Sequence, residues 1–208
     1  DGYLSKNLNL NSEIRLNNNS VHIYNWTMFT GIVETIGSVV TLENDTLEVK
    51  TDNKSFFNLE IGTSIAIDGC CLTLRKYYID SLFFQVSDET FSRTALNSDH
   101  CGFVNMEIPL TMNSLLSGHL VQGHVDEVIK INNIEKLEGQ LWNFTFEGAN
   151  KKYIVDKGSI TINGISLTVV DPIDNLFKVA VIEETYNNTN LKHLSVDDNV
   201  NVEYDEAG

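Results

Sequence analysis

Two short runs of this chain carry the side chains of a reacting pocket, and one is a copy of the other. Ser64-Ile65-Ala66-Ile67-Asp68-Gly69-Cys70-Cys71-Leu72-Thr73 returns as Ser159-Ile160-Thr161-Ile162-Asn163-Gly164-Ile165-Ser166-Leu167-Thr168. After the shared glycine the first copy offers Cys71 and Thr73, and the second offers Ser166 and Thr168. A hydroxyl donates and accepts hydrogen bonds, whereas a thiol does either poorly. Two such pockets would treat identical molecules unequally. The plainer reading makes Cys71 a small buried hydrophobe and Ser166 a turn residue; recurrence directly after a glycine weighs against it. His119 and His124 flank Leu120-Val121-Gln122-Gly123, a spacing that fits neither a helical metal pair nor one face of a strand, so no shared metal is expected. His124 stands where the first copy has Ile32, and a histidine there could move a proton near neutral pH. Lys157 precedes the repeated strand of the second copy, where its plainer reading is a solvated strand end. Asp205 closes that copy with a carboxylate able to orient a hydroxyl or face water.

The elements that must hold these groups read as short strands. Leu47-Glu48-Val49-Lys50 and the Ser64 and Ser159 runs alternate apolar with polar, and Phe177-Lys178-Val179-Ala180-Val181-Ile182 is mostly apolar; each is four to six residues long. Several such strands per repeat, separated by Asn, Asp and Gly turns, predict a small antiparallel barrel in each copy. Gly69 and Gly164 follow alternating runs directly, where a tight turn or a close approach of backbone to ligand needs no Cβ. Pro109 and Pro172 fall at expected strand ends, and a short helical piece is expected near Ser195-Val196-Asp197-Asp198-Asn199. The repeat also includes Gly31-Ile32-Val33-Glu34 against Gly123-His124-Val125-Asp126, Glu89-Thr90 against Glu184-Thr185, and Val104-Asn105-Met106-Glu107 against Val200-Asn201-Val202-Glu203. It is too long for a solenoid unit and divides the chain into two domains, 28–115 and 116–208, joined near Met112 to Leu116.

Residues 1–27 read as a disordered extension rich in Asn, with Met28 as the native start and an organellar targeting segment as the other reading. The 208 residues include 14 basic and 29 acidic side chains, a net charge of −15. Neither nucleic acid nor an anionic membrane rewards such a balance. No apolar run approaches the length of a membrane span, so a cytoplasmic protein is expected. Three cysteines, two of them adjacent, form neither a disulfide framework nor a metal pattern.

Met28-Phe29-Thr30-Gly31-Ile32-Val33, the two glycine turns and Gly118-His119-Leu120-Val121-Gln122-Gly123-His124-Val125-Asp126, in this order around a tandem repeat, resemble the riboflavin synthase alpha-chain family. The resemblance implies an all-β fold of two tandem six-stranded Greek-key barrels, followed in the family by a C-terminal helix that this sequence, ending at Gly208, does not include. It also implies a homotrimer, lumazine synthase as an associated protein, and no cofactor. The family converts two molecules of 6,7-dimethyl-8-ribityllumazine into riboflavin and 5-amino-6-ribitylaminouracil. Carried over, a first pocket uses Gly31, Ile32, Val33, Cys71, Leu72, Thr73, Gln85, Val86, Ser87, Asp88, Glu89 and Thr90. A second uses Gly123, His124, Val125, Lys157, Ser166, Leu167, Thr168, Ile182, Glu183, Glu184, Thr185, Tyr186 and Asn187. Phe29 lies by the reaction centre. His124 and Thr168 help remove a proton from the substrate's 7-methyl group, while Ser166, Cys71 and Asp205 position or activate the nucleophile. Asn163 replaces an aspartate common in the family, which excludes an essential carboxylate there. The rival reading is a lumazine- or flavin-binding antenna protein without catalysis.

Overall fold

Asp68-Gly69 and Asn163-Gly164 fix the two halves of this protein on each other. The computed structural model describes residues 14–16, 19–21, 27–43, 45–96 and 102–206. In it Asp68 and Gly69 have φ of 46° and 76°, and Asn163 and Gly164 have φ of 45° and 75°. Two left-handed residues in succession make the tight hairpin turn that Asp-Gly and Asn-Gly favour. They join β5 (Ser64–Ile67) to β6 (Cys70–Tyr78), and β11 (Ser159–Ile162) to β12 (Ile165–Ile173).

Each hairpin belongs to a closed antiparallel barrel. The first takes β3 (Thr35–Glu43), β4 (Thr46–Lys50), β7 (Ser81–Gln85) and β8 (Phe103–Glu107) as well, in the order β3-β4-β7-β6-β5-β8. The second adds β9 (Glu127–Leu137), β10 (Leu141–Glu147), β13 (Leu176–Ile182) and β14 (Asn199–Tyr204), in the equivalent order β9-β10-β13-β12-β11-β14. In both, the second strand pairs with the fifth rather than the third, which is the Greek-key connection. The helices α1 (Asp88–Arg93) and α2 (Glu183–Asn188) follow the fifth strand of each barrel. Alternation sends Leu47, Val49, Ile65, Ile67, Leu72, Leu74 and Phe84 into one core, and Phe144, Phe146, Ile160, Ile162, Phe177 and Val179 into the other.

The barrels meet through backbone. A Cβ on Gly69 would lie 2.8 Å from the Gly164 nitrogen, and one on Gly164 would lie 2.8 Å from the Gly69 nitrogen. The glycines thus allow a close approach to the other barrel's turn. Buried amides ring this contact. Asn105 Nδ2 donates to the Asn163 carbonyl (2.8 Å), Asn201 Nδ2 to the Asp68 carbonyl (2.8 Å), and Asn190 Nδ2 to Asp68 Oδ1 (3.0 Å). Asn201 Oδ1 accepts from the Ala95 nitrogen, and Asn105 Oδ1 from the Asn190 nitrogen, both at 2.7 Å. Asn163 is one of these structural amides, with Oδ1 accepting from the Asn201 nitrogen.

Some elements differ from the sequence reading. β3, β6, β9 and β12, outside the four-to-six-residue runs singled out from the sequence, extend to nine or eleven residues. Register shifts bend all four, at Val39/Thr41, Leu74/Lys76, Ile131/Asn133 and Val170/Ile173, breaking the period-two pattern that reveals a strand. Pro172 falls inside β12 at the last of these shifts, where no ladder N–H is needed. The helical piece expected at 195–199 is a turn, and helix occupies 183–188 instead. Within the extension, β1 (Ile14–Leu16) pairs antiparallel with β2 (Asn19–Val21). The rest of residues 1–26 lies outside the described residues.

Candidate functional site

The barrel pleat turns Leu72, Leu74 and Leu167 inward, so Cys71, Thr73, Ser166 and Thr168 face outward. Ala66 pairs with Cys71 and Ser64 with Thr73; their equivalents pair Thr161 with Ser166 and Ser159 with Thr168. The antiparallel partners of β6 and β12 bring 85–87 and 180–182 to the same ends of the sheets. Each barrel therefore presents a small polar face made of two hairpin strands and the start of a short helix.

Across these faces run the segments that lead into the barrels, and they cross over. Gly31 accepts from the Ser166 nitrogen at 2.7 Å, and Gly123 from the Cys71 nitrogen at 2.8 Å. Val33 packs against the second core and Val125 against the first. The structure thus brings the segment Gly31, Ile32 and Val33 to Ser166, and Gly123, His124 and Val125 to Cys71, the reverse of the grouping expected from the sequence. At φ of 75° and 79°, Gly31 and Gly123 reach backbone contact that a Cβ would block.

A glutamate holds each segment. Glu107 Oε1 accepts from the Thr30 nitrogen and Oγ1, both at 2.7 Å, and its Oε2 from the Gly31 nitrogen at 3.1 Å. Glu203 accepts from the backbone nitrogens of Gln122, Gly123 (2.9 Å) and His124 (3.1 Å). Burial pushes Glu203 up to about 7 despite these donors, with the Asp126 charge adding to the rise. Glu107 is raised by burial in the same sense.

The imidazole that reaches the hydroxyl face is His119, not His124. His119 Nδ1 lies 2.7 Å from Ser166 Oγ, and Nε2 lies 3.1 Å from Thr161 Oγ1. Burial lowers its pKa while the Asp205 charge pulls it up. A neutral ring serves both contacts with one nitrogen donating and the other accepting, so it can take a proton from Ser166 or return one. His124 is exposed, and its backbone is tied to Glu203 on the side facing Cys71. Among the described residues no hydrogen bond joins it to Thr168. Cys71 has its thiol raised by burial, with a hydrogen bond from Ser64 opposing the rise and the Glu203 charge adding to it. Cys70, turned into the core, is pushed up to about 12.

Other expected residues are placed differently. Phe29 is fully buried among Ala66, Val121 and Cys71, bonded to Val121 as a two-residue bridge, and supports the site as packing. Leu72, Leu167 and Val86 belong to the cores and offer a ligand only backbone. Ser87 caps α1 by accepting from the Thr90 nitrogen; Gln85, Asp88 and Glu89 are exposed beside it. Tyr186 stacks on Trp142 at 4.1 Å, with Ile182, Glu183, Glu184 and Asn187 exposed and Thr185 half-buried. Lys157 is exposed, its backbone donating to Val169. His119, Thr161, Glu107 and Glu203 were not among the expected site residues. Repetition of Glu107 as Glu203 was the signal available for two of them.

One cleft adjoins the Gly31 segment, and another lies away from both faces, at the Lys50/Ser81 end of the first barrel. One of about 200 Å3 is lined by Thr30, Ile32, Glu107 and Leu115 among others, and one of about 470 Å3 by Lys50, Lys54, Phe103 and Lys192 among others. Neither is lined by Cys71 or Ser166, which are half-buried, Cys71 beneath the Gly123 segment and Ser166 against His119. Among the described residues no cluster of side chains fits a metal ion, both Cys70 and Cys71 are free thiols, and no helix is long and apolar enough to cross a membrane.

The family model of the lumazine binding domain matches residues 30–109 and again 122–205, one copy per barrel. A riboflavin synthase of Photobacterium leiognathi is 38% identical over 185 residues, 86% of this chain and 84% of that one. The chain belongs to the riboflavin synthase family. The riboflavin synthase of Actinobacillus pleuropneumoniae is 36% identical over 87% of this chain and 86% of its own, and that of Chlamydia muridarum 35% over 86% and 90%. The fold is shared with LumP complexed with riboflavin (TM-score 0.77, 24% identity, 86% of this chain and all of that one). It is shared too with LumP complexed with 6,7-dimethyl-8-(1'-D-ribityl) lumazine (TM-score 0.74, 25% identity, 84% and 98%).

Proposed function

We propose that this protein is a riboflavin synthase, a transferase that moves a four-carbon unit between two molecules of 6,7-dimethyl-8-ribityllumazine to give riboflavin and 5-amino-6-ribitylaminouracil. The observation that carries the reading is the pair of equivalent outward faces with unlike chemistry: Cys71 and Thr73 on one barrel, Ser166 and Thr168 with His119 on the other. A dismutation needs one molecule to lose a proton and the other to accept an attack, and two faces that differ at one matched position can hold identical molecules in those unequal roles. The second face has the base: His119 draws on the Ser166 hydroxyl, and the Asp205 charge favours the protonated ring that results. The first face has a weakly ionised thiol and the exposed His124 imidazole, which reaches a substrate lying over Cys71 and helps move its methyl proton.

The two faces lie on different barrels, so the reaction requires their two substrates to be brought together. In this reading the chain forms a homotrimer in which the Cys71 face of one copy meets the Ser166 face of the next. Proximity then supplies much of the rate, since well-oriented partners reach effective molarities on the order of 10⁵ to 10⁸ M. No cofactor is needed for the electron balance, because the two products together contain the atoms of the two substrates.

The second reading is an antenna protein that holds lumazine unreacted, favoured by the fold likeness to LumP. Incubating the purified chain with 6,7-dimethyl-8-ribityllumazine decides between them. Riboflavin formed at one per two lumazines consumed supports the synthase. Tight binding of one lumazine per chain without riboflavin overturns it.

A further inference from the structure

The two glutamates are matched members of the repeat, yet each acts beyond its own barrel. Glu203 stands on β14 of the second barrel and fixes 122–124, whose Gly123 carbonyl holds the Cys71 nitrogen of the first. Glu107 stands on β8 of the first barrel and fixes 30–31, whose Gly31 carbonyl holds the Ser166 nitrogen of the second. Both carboxylates are buried, 5% and 7% exposed, and both spend their oxygens on three donors from a single segment. A core of apolar side chains would stabilise a barrel as well, so two buried carboxylates at this boundary are explained by what they hold.

We propose that Glu107 and Glu203 are positioning residues that act crosswise: Glu203 of the second barrel shapes the Cys71 face of the first, and Glu107 of the first shapes the Ser166 face of the second. Each face is completed by a strip of backbone delivered from the opposite repeat and pinned there by that strip's own carboxylate. The arrangement rests on the same two faces as the proposed function and makes neither barrel's pocket independent of the other.

The test is selective thiol access. Cys71 is half-buried beneath the Gly123 segment, while Cys70, beside it, points into the core. In Glu203→Gln one carboxylate oxygen becomes an NH2 that faces a backbone N–H, leaving a buried donor without an acceptor and weakening the hold on 122–124. Iodoacetamide alkylation of the full chain, resolved by residue with mass spectrometry, reads the outcome. Glu203→Gln is expected to speed alkylation of Cys71 on the order of tenfold, with Cys70 still protected, while Glu107→Gln leaves the Cys71 rate within about twofold. Removing the Glu203 charge also eases ionisation of the thiol, so Gly123→Ala is the companion variant. It keeps that charge and displaces the segment sterically, since its Cβ would lie 2.8 Å from Cys71 Cβ, and it too is expected to raise Cys71 alkylation with Cys70 protected. Equal effects of Glu203→Gln and Glu107→Gln on Cys71 would overturn the crosswise assignment. So would an unchanged Cys71 rate in Gly123→Ala, which also decides the matter where Glu203→Gln does not fold. None of these readings involves riboflavin formation, so failure of the proposed activity leaves this inference standing and the reverse is equally possible.

Discussion

Replacing Gly164 by alanine tests whether the turn is there for itself or for the other barrel. Gly164 and Gly139 share a φ of 75°, but a Cβ on Gly139 meets nothing within 4 Å, whereas one on Gly164 would lie 2.8 Å from the Gly69 nitrogen and 3.1 Å from its Cα. Both variants incur the left-handed strain of an L side chain, roughly 1–2 kcal/mol. Gly164→Ala must also push apart two backbones, neither of which has a flexible side chain that can move aside. The bonds that would stretch are the nearest ones, from Asn105 to the Asn163 carbonyl, from Asn201 to the Asp68 carbonyl and from Asn190 to Asp68. At about 1 kcal/mol each, they set the extra cost at roughly 2–3 kcal/mol. Urea titration followed by tryptophan fluorescence gives both values, and the difference between the variants cancels the shared strain. Gly164→Ala should fall well below Gly139→Ala, and a second, earlier transition should appear as the barrels uncouple. Equal destabilisation, within about 0.5 kcal/mol, would refute the claim that the inter-barrel approach is what glycine serves here.

Glu203 has a folded pKa of about 7 against an ordinary 4.5, so the folded chain keeps a proton that the unfolded chain releases. Stability from this group is complete below about pH 4.5 and is lost as pH rises through 7, roughly 3 kcal/mol at about 1.4 kcal/mol per unit. Glu203→Gln does not titrate, and its urea midpoint relative to that of the native chain should rise from pH 5 to pH 8, whatever the difference at pH 5; parallel curves would contradict the burial argument. Because the Asp205 charge raises His119 and burial lowers it, Asp205→Asn should shift the His119 imidazole titration, followed by NMR, further down; a rise would show that the charge does not reach the ring. His119→Ala should lower riboflavin formation by on the order of 10²-fold, the lower end for a general base, and more than His124→Ala does, with lumazine binding largely intact in both; a larger loss at His124 would return the base to that residue.

Much of this architecture was legible because duplication printed it twice. The alternation of Ile65, Ile67, Ile160 and Ile162 and the Asp-Gly and Asn-Gly pairs identify the hairpins by local rules alone. The longest strands, β6, β9 and β12, do not stand out in the sequence because bulges at Leu74/Lys76, Ile131/Asn133 and Val170/Ile173 break their period. The site was legible in its residue types and not in its pairing. Nothing local in Gly31 or Gly123 says which barrel each touches, since the exchange depends on how two closed barrels stack at Gly69 and Gly164. For the same reason spacing pointed to His124, which matches Ile32 in the repeat, while the crossing places His119 on Ser166. A repeat predicts what is equivalent; contact between the repeats decides what is adjacent. The divergence that matters chemically therefore extends beyond Cys71 against Ser166 to Ala66 against Thr161, for it is Thr161 that gives the His119 ring its second anchor. The first barrel, with Ala66 there and the buried Phe29 above it, has no equivalent anchor for an imidazole. That pair of positions, more than the thiol, explains why an imidazole is anchored between two hydroxyls on the second face, whereas His124 beside the first is held only through its backbone.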